Sequence, residues 1–463
     1  MKKIILTDKF YLNAFLFFCA ILFIVSIKKN LYYDNNSIIL SGFLCFLIFS
    51  FLYIYILINK LDCYPIHLFF NCYVLVNLLY FLYNFDNIYQ FSYPNLFHLL
   101  ENKNYLLTPK VFNKLFNEAL KILILTVFFF NMGFLLISKV LKKQKSFLPN
   151  LSEIELIRVN FFLLIVKFFF LLADLFLSKN IPQLENPIDM LIMSISFYLI
   201  IFHKKNRLIN FFIIAYLFFE NIYQTYALMQ NLLLLTVCFV IFYSYKKRIS
   251  ILLLLSVLVW VLVGQAYKHE VRTVINNLEI SQENNTVSGF NYGYDSKPVV
   301  LRLSEPILSI IRVLEIKNIK KKKIQKDTLS ILKYSLIPRF IYKDKPKQDF
   351  SKWYTSYFFP QYHIDENYKK TVTYNISWTT DLFLNLEYKG SIFLSFILGL
   401  LISLLVKTFA HFNSNNINFL LGISILSSLT FPDYNISLML SPLILQYIVI
   451  FLLIKLILIF IKK

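Results

Sequence analysis

Glycine and charge are both scarce in this chain: it has 8 glycines in 463 residues, and Asp, Glu, Lys and Arg together make up 16%. With so few glycines, no Gly-rich phosphate-cradling loop can be found, which argues against a nucleotide-binding fold. A water-soluble domain carries about a quarter charged residues, so the low charge excludes an ordinary soluble core for the whole length. The five cysteines (Cys19, Cys45, Cys63, Cys72 and Cys238) lie in or beside apolar segments and show no CxxC spacing. They read as small core residues, not as a metal site or a disulfide framework. Internal repeats, heptads and zinc-spaced clusters are likewise missing.

What is abundant is apolar surface. The chain is 58% hydrophobic and 18% aromatic, with a mean hydropathy of +0.61. A bilayer crossing needs roughly 17–25 predominantly apolar residues. Runs near that length predict an all-α polytopic membrane protein with twelve crossings, near Phe10–Ile27, Ser37–Ile58, Tyr64–Tyr83, Leu120–Val140, Val159–Leu177, Pro187–Phe202, Leu208–Tyr223, Ala227–Tyr245, Ile249–Ala266, Gly390–Phe409, Asn418–Phe431 and Ser437–Phe460. Those at 208–223 and 418–431 are short. Lys and Arg cluster at alternate junctions, for example in the "HKKNR" of His203–Arg207 and the "YKKR" of Tyr245–Arg248. By the positive-inside rule this predicts a multi-pass protein of a bacterial cytoplasmic (inner) membrane with both termini cytoplasmic. The expected organisation is helices 1–9 over residues 1–266, a large extracytoplasmic loop over 267–388, and helices 10–12 over 389–463. A second polar stretch, Asn84–Ala119, also falls outside, and a helix is expected from Val299 to Ile319.

The net charge of +21 is in large part this inward-facing anchoring. The large loop is itself basic, which suits a polyanionic partner such as a lipid diphosphate or an acidic glycan; the plain reading of Lys320–Lys323 is a solvated turn. Ionisable residues inside apolar segments are functional candidates because burying them is costly unless they are paired or hydrated. Lys167 and Asp174 lie seven residues apart, on one helical face. Glu220 sits near the end of a short helix, where water is an alternative partner. Asp381, in "TTDLFLNLEYKG" (Thr379–Gly390), stands just ahead of an apolar run, with Glu387 six residues on. His363 titrates near neutrality but reads as a surface histidine.

Two segments carry a family resemblance. "LIPRFIYKDKP" (Leu336–Pro346), followed by "SWTTDLFLNLEYKGSIFLSFILGLLISLL" (Ser377–Leu405), resembles the Wzy-type polymerases of O-antigen and capsule oligosaccharide repeat units. Arg339, Lys345 and Pro346 match the first motif, and Thr379 or Thr380, Asp381 and Asn385 match the second. "RLSEPILSI" (Arg302–Ile310) is similar to the family's upstream arginine segment. Glu387 departs from the pattern by standing where glycine is usual, as does Lys343 in place of an aromatic–proline pair. The likeness covers about a hundred residues, Val299–Leu405.

The resemblance implies a glycosyltransferase that polymerises undecaprenyl-diphosphate-linked oligosaccharides at the outer face of the membrane. Arg302, Arg339 and Lys345 would clamp the lipid diphosphate, since a guanidinium binds phosphate oxygens bidentately. Asp381 would act as base or acceptor-orienting group, with Arg339 also catalytic through charge stabilisation. Asp344, Thr379, Thr380 and Asn385 would line the substrate. No cofactor or metal is implied and no nucleic acid. The expected partners are the lipid-linked oligosaccharide, the bilayer, a chain-length regulator and a flippase. The rival expectations are an O-antigen ligase and a lipid-linked oligosaccharide flippase or transporter.

Overall fold

Local signals at the helix starts decide where the chain begins to coil. In the computed structural model, the described residues are 109–140, 148–177, 182–202, 206–225, 309–317, 376–409, 416–426 and 436–462, with isolated positions between 234 and 242 and at 307, 329, 334, 353 and 354. They form seven long or medium helices: α1 (Pro109–Val140), α2 (Glu153–Leu177), α3 (Pro182–Phe202), α4 (Arg207–Thr225), α5 (Trp378–Phe409), α6 (Asn416–Leu426) and α7 (Ile436–Lys462). Residues 309–317 add a short helix. Both α1 and α3 open on proline, whose fixed φ suits the first helical position and whose missing N–H is no loss there. Helix α2 opens with a capping box: the Glu155 carboxylate accepts from the Ser152 N–H at 2.7 Å, and Ser152 Oγ accepts from the Glu155 N–H at 3.3 Å. Glu153 and Glu155 also place negative charge in that first turn, where the helix dipole favours it.

The chain divides into two compact units. One takes in α1, residues 309–317, α5 as far as Leu404 and the head of α7 to Ser441; the other takes in α2, α3, α4, α6 and α7 from Pro442. In the first unit, α1 and α5 meet through glycines. A Cβ on Gly133 would fall on the carbonyl oxygen of Phe396, and one on Gly399 on the carbonyl oxygen of Phe130. Beside this contact Phe130 packs on Trp378, ring centroids 5.3 Å apart. Small residues that let two helix backbones approach are a common device for apolar helices, which have little hydrophobic drive to associate within lipid. In the second unit α3 packs against α2, α4 and α6. Asn416 ties the start of α6 to the approach of α2: its side-chain amide donates to the Leu151 carbonyl at 2.7 Å and accepts from the Leu151 N–H at 3.0 Å.

Three of these helices contain stretches long and apolar enough to cross a membrane, Lys114–Phe134, Glu185–Phe202 and Trp378–Val406. They fit a membrane-associated protein. They also correct the twelve-crossing expectation, because apolar run length overcounted. The run expected at 418–431 forms an eleven-residue helix, α6. At 1.5 Å per residue it extends about 17 Å, against a hydrocarbon core of about 30 Å, and every residue from Ile417 to Leu426 is buried within the protein. Helix α2 matches the run at 159–177 but carries Glu153, Glu155, Arg158, Lys167 and Asp174 along its length. The runs at 10–27, 37–58, 64–83 and 249–266 lie outside the described residues, as does most of 227–245.

Two boundaries move as well. Helix α1 begins at Pro109, inside the stretch 84–119 expected to be an outer loop, and α5 begins at Trp378, inside the loop expected to run to 388. The predicted sidedness goes with the crossing count: it was built on twelve crossings, and the described residues furnish three. The multi-pass inner-membrane topology with cytoplasmic termini and a large outer loop is therefore corrected too. Repeat-unit polymerisation, and with it the ligase and flippase alternatives, was expected of that large multi-pass architecture. It loses its structural basis here.

Candidate functional site

The first unit concentrates buried polar groups at the head of α5. Ser377 precedes the helix and caps it: its Oγ accepts from the Thr380 N–H at 3.3 Å, and its carbonyl accepts from the Asp381 N–H at 2.9 Å. The same hydroxyl lies 2.7 Å from Thr380 Oγ1 and 3.0 Å from Thr379 Oγ1. Thr380 Oγ1 in turn shares a 2.6 Å hydrogen bond with Ser309 Oγ on the short helix. The Tyr354 hydroxyl donates to the Ser309 carbonyl at 3.5 Å. Ser309, Ser377, Thr379, Thr380 and Asp381 are all buried. Burying so many polar atoms is tolerable because each hydroxyl both donates and accepts, so a closed network satisfies them.

Asp381 is fully buried and both its oxygens are engaged. Oδ1 accepts from Asn385 Nδ2 at 3.0 Å, and Oδ2 accepts from the Ile436 N–H at 3.1 Å. Asn385 Nδ2 also donates to the Asp381 carbonyl at 2.7 Å. A carboxylate receiving the first N–H of α7 is a helix cap supplied from elsewhere in the chain. In this arrangement Asp381 positions α7 against α5, with Asn385 fixing the carboxylate's orientation.

Sequence reasoning missed the ion pair on the short helix. Arg312 Nη1 sits 2.7 Å from Glu315 Oε2, and both side chains are buried. The other oxygen, Glu315 Oε1, is buried with no hydrogen-bond partner. Burial pushes the Glu315 carboxyl up to about 7, with the Arg312 guanidinium pulling the other way. The sequence signal was present: "SIIRVLEI" (Ser309–Ile316) puts an Arg and a Glu three apart, on one face of an otherwise apolar helix.

Further along, Lys317 reaches Glu387 at 3.4 Å and lies over the Phe383 ring, 5.8 Å from its centre. The short helix and the head of α5 thus run side by side in the same direction, with 309 against 380 and 317 against 383 and 387. Glu387 itself has φ 56° and ψ −161°, a kink between two helical segments of α5. That backbone region belongs essentially to glycine. The departure noted in the sequence, Glu where the family pattern has Gly, therefore falls at a position whose conformation suits glycine. Glu387→Gly is expected to raise thermal stability by about 1 kcal/mol through relieved strain. The half-exposed contact to Lys317 that it removes is worth little. Glu387→Ala, which keeps a Cβ, should show no such gain in a melting experiment.

The second unit holds a separate charged cluster. Lys167 Nζ on α2 lies 2.6 Å from Asp189 Oδ1 on α3 and 2.6 Å from Glu220 Oε2 on α4, all three side chains buried. Seven residues back along α2 and seven forward along α3, Asn160 Nδ2 donates to Ser196 Oγ at 2.9 Å, so two polar rungs cross the apolar α2–α3 contact. Lys167 was singled out from the sequence, but its partners are Asp189 and Glu220; the Asp174 side chain lies outside the described residues. Glu220 is buried in this pairing, not held by water at a helix end.

Of the site residues read from the sequence, the structure brings Thr379, Thr380, Asp381 and Asn385 together, and adds Ser309, Tyr354 and Ser377 beside them. Arg302, Arg339, Asp344 and Lys345 lie outside the described residues, as do Pro346, Lys320–Lys323 and His363. No group of three or more His, Cys, Asp or Glu side chains fit to hold a metal ion is found among the described residues. No protein-family model, curated protein or solved structure matches the chain.

Proposed function

We propose that this is a membrane-bound enzyme of the glycosyltransferase class, taking as donor a glycan carried on a polyprenyl diphosphate. The observation that carries the reading is the buried hydroxyl and carboxylate network where α5 begins. It lies inside the segment that resembles lipid-linked glycan enzymes, at the end of a helix apolar enough to sit in a bilayer. A donor dissolved in the membrane would meet the protein at such a boundary, where an apolar surface for the lipid adjoins polar groups for the glycan. Lys345, Arg339 and Arg302 supply fixed cations for the leaving diphosphate in this reading. Asp381, with both oxygens occupied by Asn385 and Ile436, serves as a positioning residue.

The test uses the full-length protein in lipid nanodiscs with a synthetic polyprenyl-diphosphate-linked oligosaccharide and a soluble glycan acceptor. Release of polyprenyl diphosphate with transfer of the sugar to the acceptor is expected, and Arg339→Ala should abolish release while leaving the protein's melting temperature unchanged. Absence of both donor binding and transfer in the wild-type protein would sink the reading.

A further inference from the structure

Two buried carboxylates lie on the paired helices, Asp381 at the head of α5 and Glu315 on the short helix, and they differ in one respect. Asp381 has both oxygens bound by donors of the protein. Glu315 spends Oε2 on Arg312 and leaves Oε1 buried without a partner, although the residue is only 2% exposed. A buried acceptor left unsatisfied is destabilising by a kilocalorie or more, so such an atom calls for an explanation beyond folding. Arg312, Ser309 and Glu315 occupy successive turns of the short helix, and Ser309 is hydrogen-bonded to Thr380. A hydroxyl network and a carboxylate oxygen with spare acceptor capacity thus border the same helix pair. The complementary ligand group is an O–H donor, and a ligand able to serve several such groups at once is polyhydroxylated.

We propose that Glu315 is a ligand-contacting residue whose Oε1 accepts a hydroxyl of a bound glycan. This deepens the transferase reading above and rests on it for the choice of glycan as the polyhydroxylated ligand. Arg312 holds the carboxylate in place through Oε2, and the Thr379, Thr380 and Ser309 hydroxyls lie along the neighbouring stretch. Among the described residues, Arg312 faces Glu315 directly, Lys317 is turned to Glu387, and Glu118 of α1 is within electrostatic reach of Lys317. Since burial raises the Glu315 carboxyl to about 7, the acceptor strengthens as pH rises through neutrality, and glycan affinity should rise with it.

The experiment measures binding of the free oligosaccharide, without lipid or diphosphate, to the full-length protein in nanodiscs at pH 6 to 8.5. Wild type, Glu315→Gln and Glu315→Asp are compared, with a melting curve for each. Glu315→Gln is expected to weaken binding roughly tenfold or more at pH 8 and to flatten the pH dependence. Glu315→Asp, which keeps the charge but draws both oxygens back by one methylene, should bind as weakly as Glu315→Gln and, because it also lengthens the buried Arg312 contact, melt below wild type. Equal affinity and equal pH dependence in wild type and Glu315→Gln overturn the proposal, as does absence of glycan binding by wild type. Transfer from the lipid-linked donor is followed in parallel. If transfer is absent but glycan binding falls with Glu315→Gln, the transferase reading fails and the Glu315 contact stands; if transfer persists unchanged in Glu315→Gln, the Glu315 contact fails alone.

Discussion

Gly399→Ala is expected to destabilise the first unit by about 3 kcal/mol or more, the upper end of what overpacking costs, and to lower the melting temperature sharply. The added methyl would meet the Phe130 carbonyl oxygen, with the Phe134 N–H close behind. These are backbone atoms of α1, so no rotamer change can make room; the two helices must move apart. Separation would loosen the Phe130–Trp378 packing and with it the start of α5, where the buried hydroxyl network is anchored. Gly133→Ala should act in the same sense, because its methyl would strike the Phe396 carbonyl from the other side. Gly390→Ala is the comparison within one helix. Its methyl would meet the Leu386 Cβ at 2.7 Å, an atom fixed to the backbone of the same helix, so it too should destabilise, but without forcing α1 and α5 apart. Thermal unfolding of the three variants in one detergent decides the matter, and wild-type melting temperatures for Gly399→Ala and Gly133→Ala would contradict the glycine crossing.

The second large effect is expected from Arg312→Ala. Removing one partner of a buried ion pair leaves the other charge uncompensated, at a cost of about 3–5 kcal/mol. Here that charge is Glu315, whose second oxygen has no partner to fall back on. The loss should depend on pH, because a protonated Glu315 no longer needs Arg312. The variant is therefore expected to be closer to wild type at pH 5 than at pH 8. Adding Glu315→Gln should recover most of the stability at pH 8. The wild-type protein carries a weaker form of the same dependence. Its Glu315 carboxyl is raised from 4.5 in the unfolded chain to about 7, so between those values the folded state holds more protons. Stability is then fully present at low pH and is lost as pH rises through about 7. Glu315→Gln alone should remove this slope. Denaturation midpoints measured from pH 4.5 to 8.5 for the four proteins test both statements.

Much of the helical content was legible because it depends on local chemistry. The apolar runs at 120–140, 159–177, 187–202, 208–223, 390–409 and 437–460 all lie inside helices, since in a long apolar stretch only a helix satisfies the backbone polar groups from within, and isolated residues such as Gly133 or Pro442 do not break it. The residues at the α5 head were legible for a different reason. Thr379, Thr380, Asp381 and Asn385 fall within nine consecutive positions beginning at Ser377, so any helix starting there gathers them. Less legible was how many helices could cross a bilayer, because hydropathy does not distinguish a helix buried in lipid from one buried in protein. Helix α6 is apolar and wholly enclosed by its own chain. The partners of Lys167 were hidden as well. Asp189 and Glu220 lie 22 and 53 residues further along, on two different helices, and only the packing of α2, α3 and α4 selects them over Asp174 on the same helical face.

By itself, then, the sequence determined where the chain coils, which faces are greasy, and that an acidic, hydroxyl-rich segment opens a long apolar helix. Those properties follow from neighbours within a few residues, which the order of amino acids states directly. Tertiary structure decided the rest. It turned Gly133 and Gly399 into a backbone crossing, engaged both oxygens of Asp381 through Asn385 and Ile436, and left one oxygen of Glu315 without a partner. Each of these depends on which distant groups meet. A glycine, an aspartate and a glutamate look the same in a sequence whether their surroundings fill their bonding capacity or leave it open.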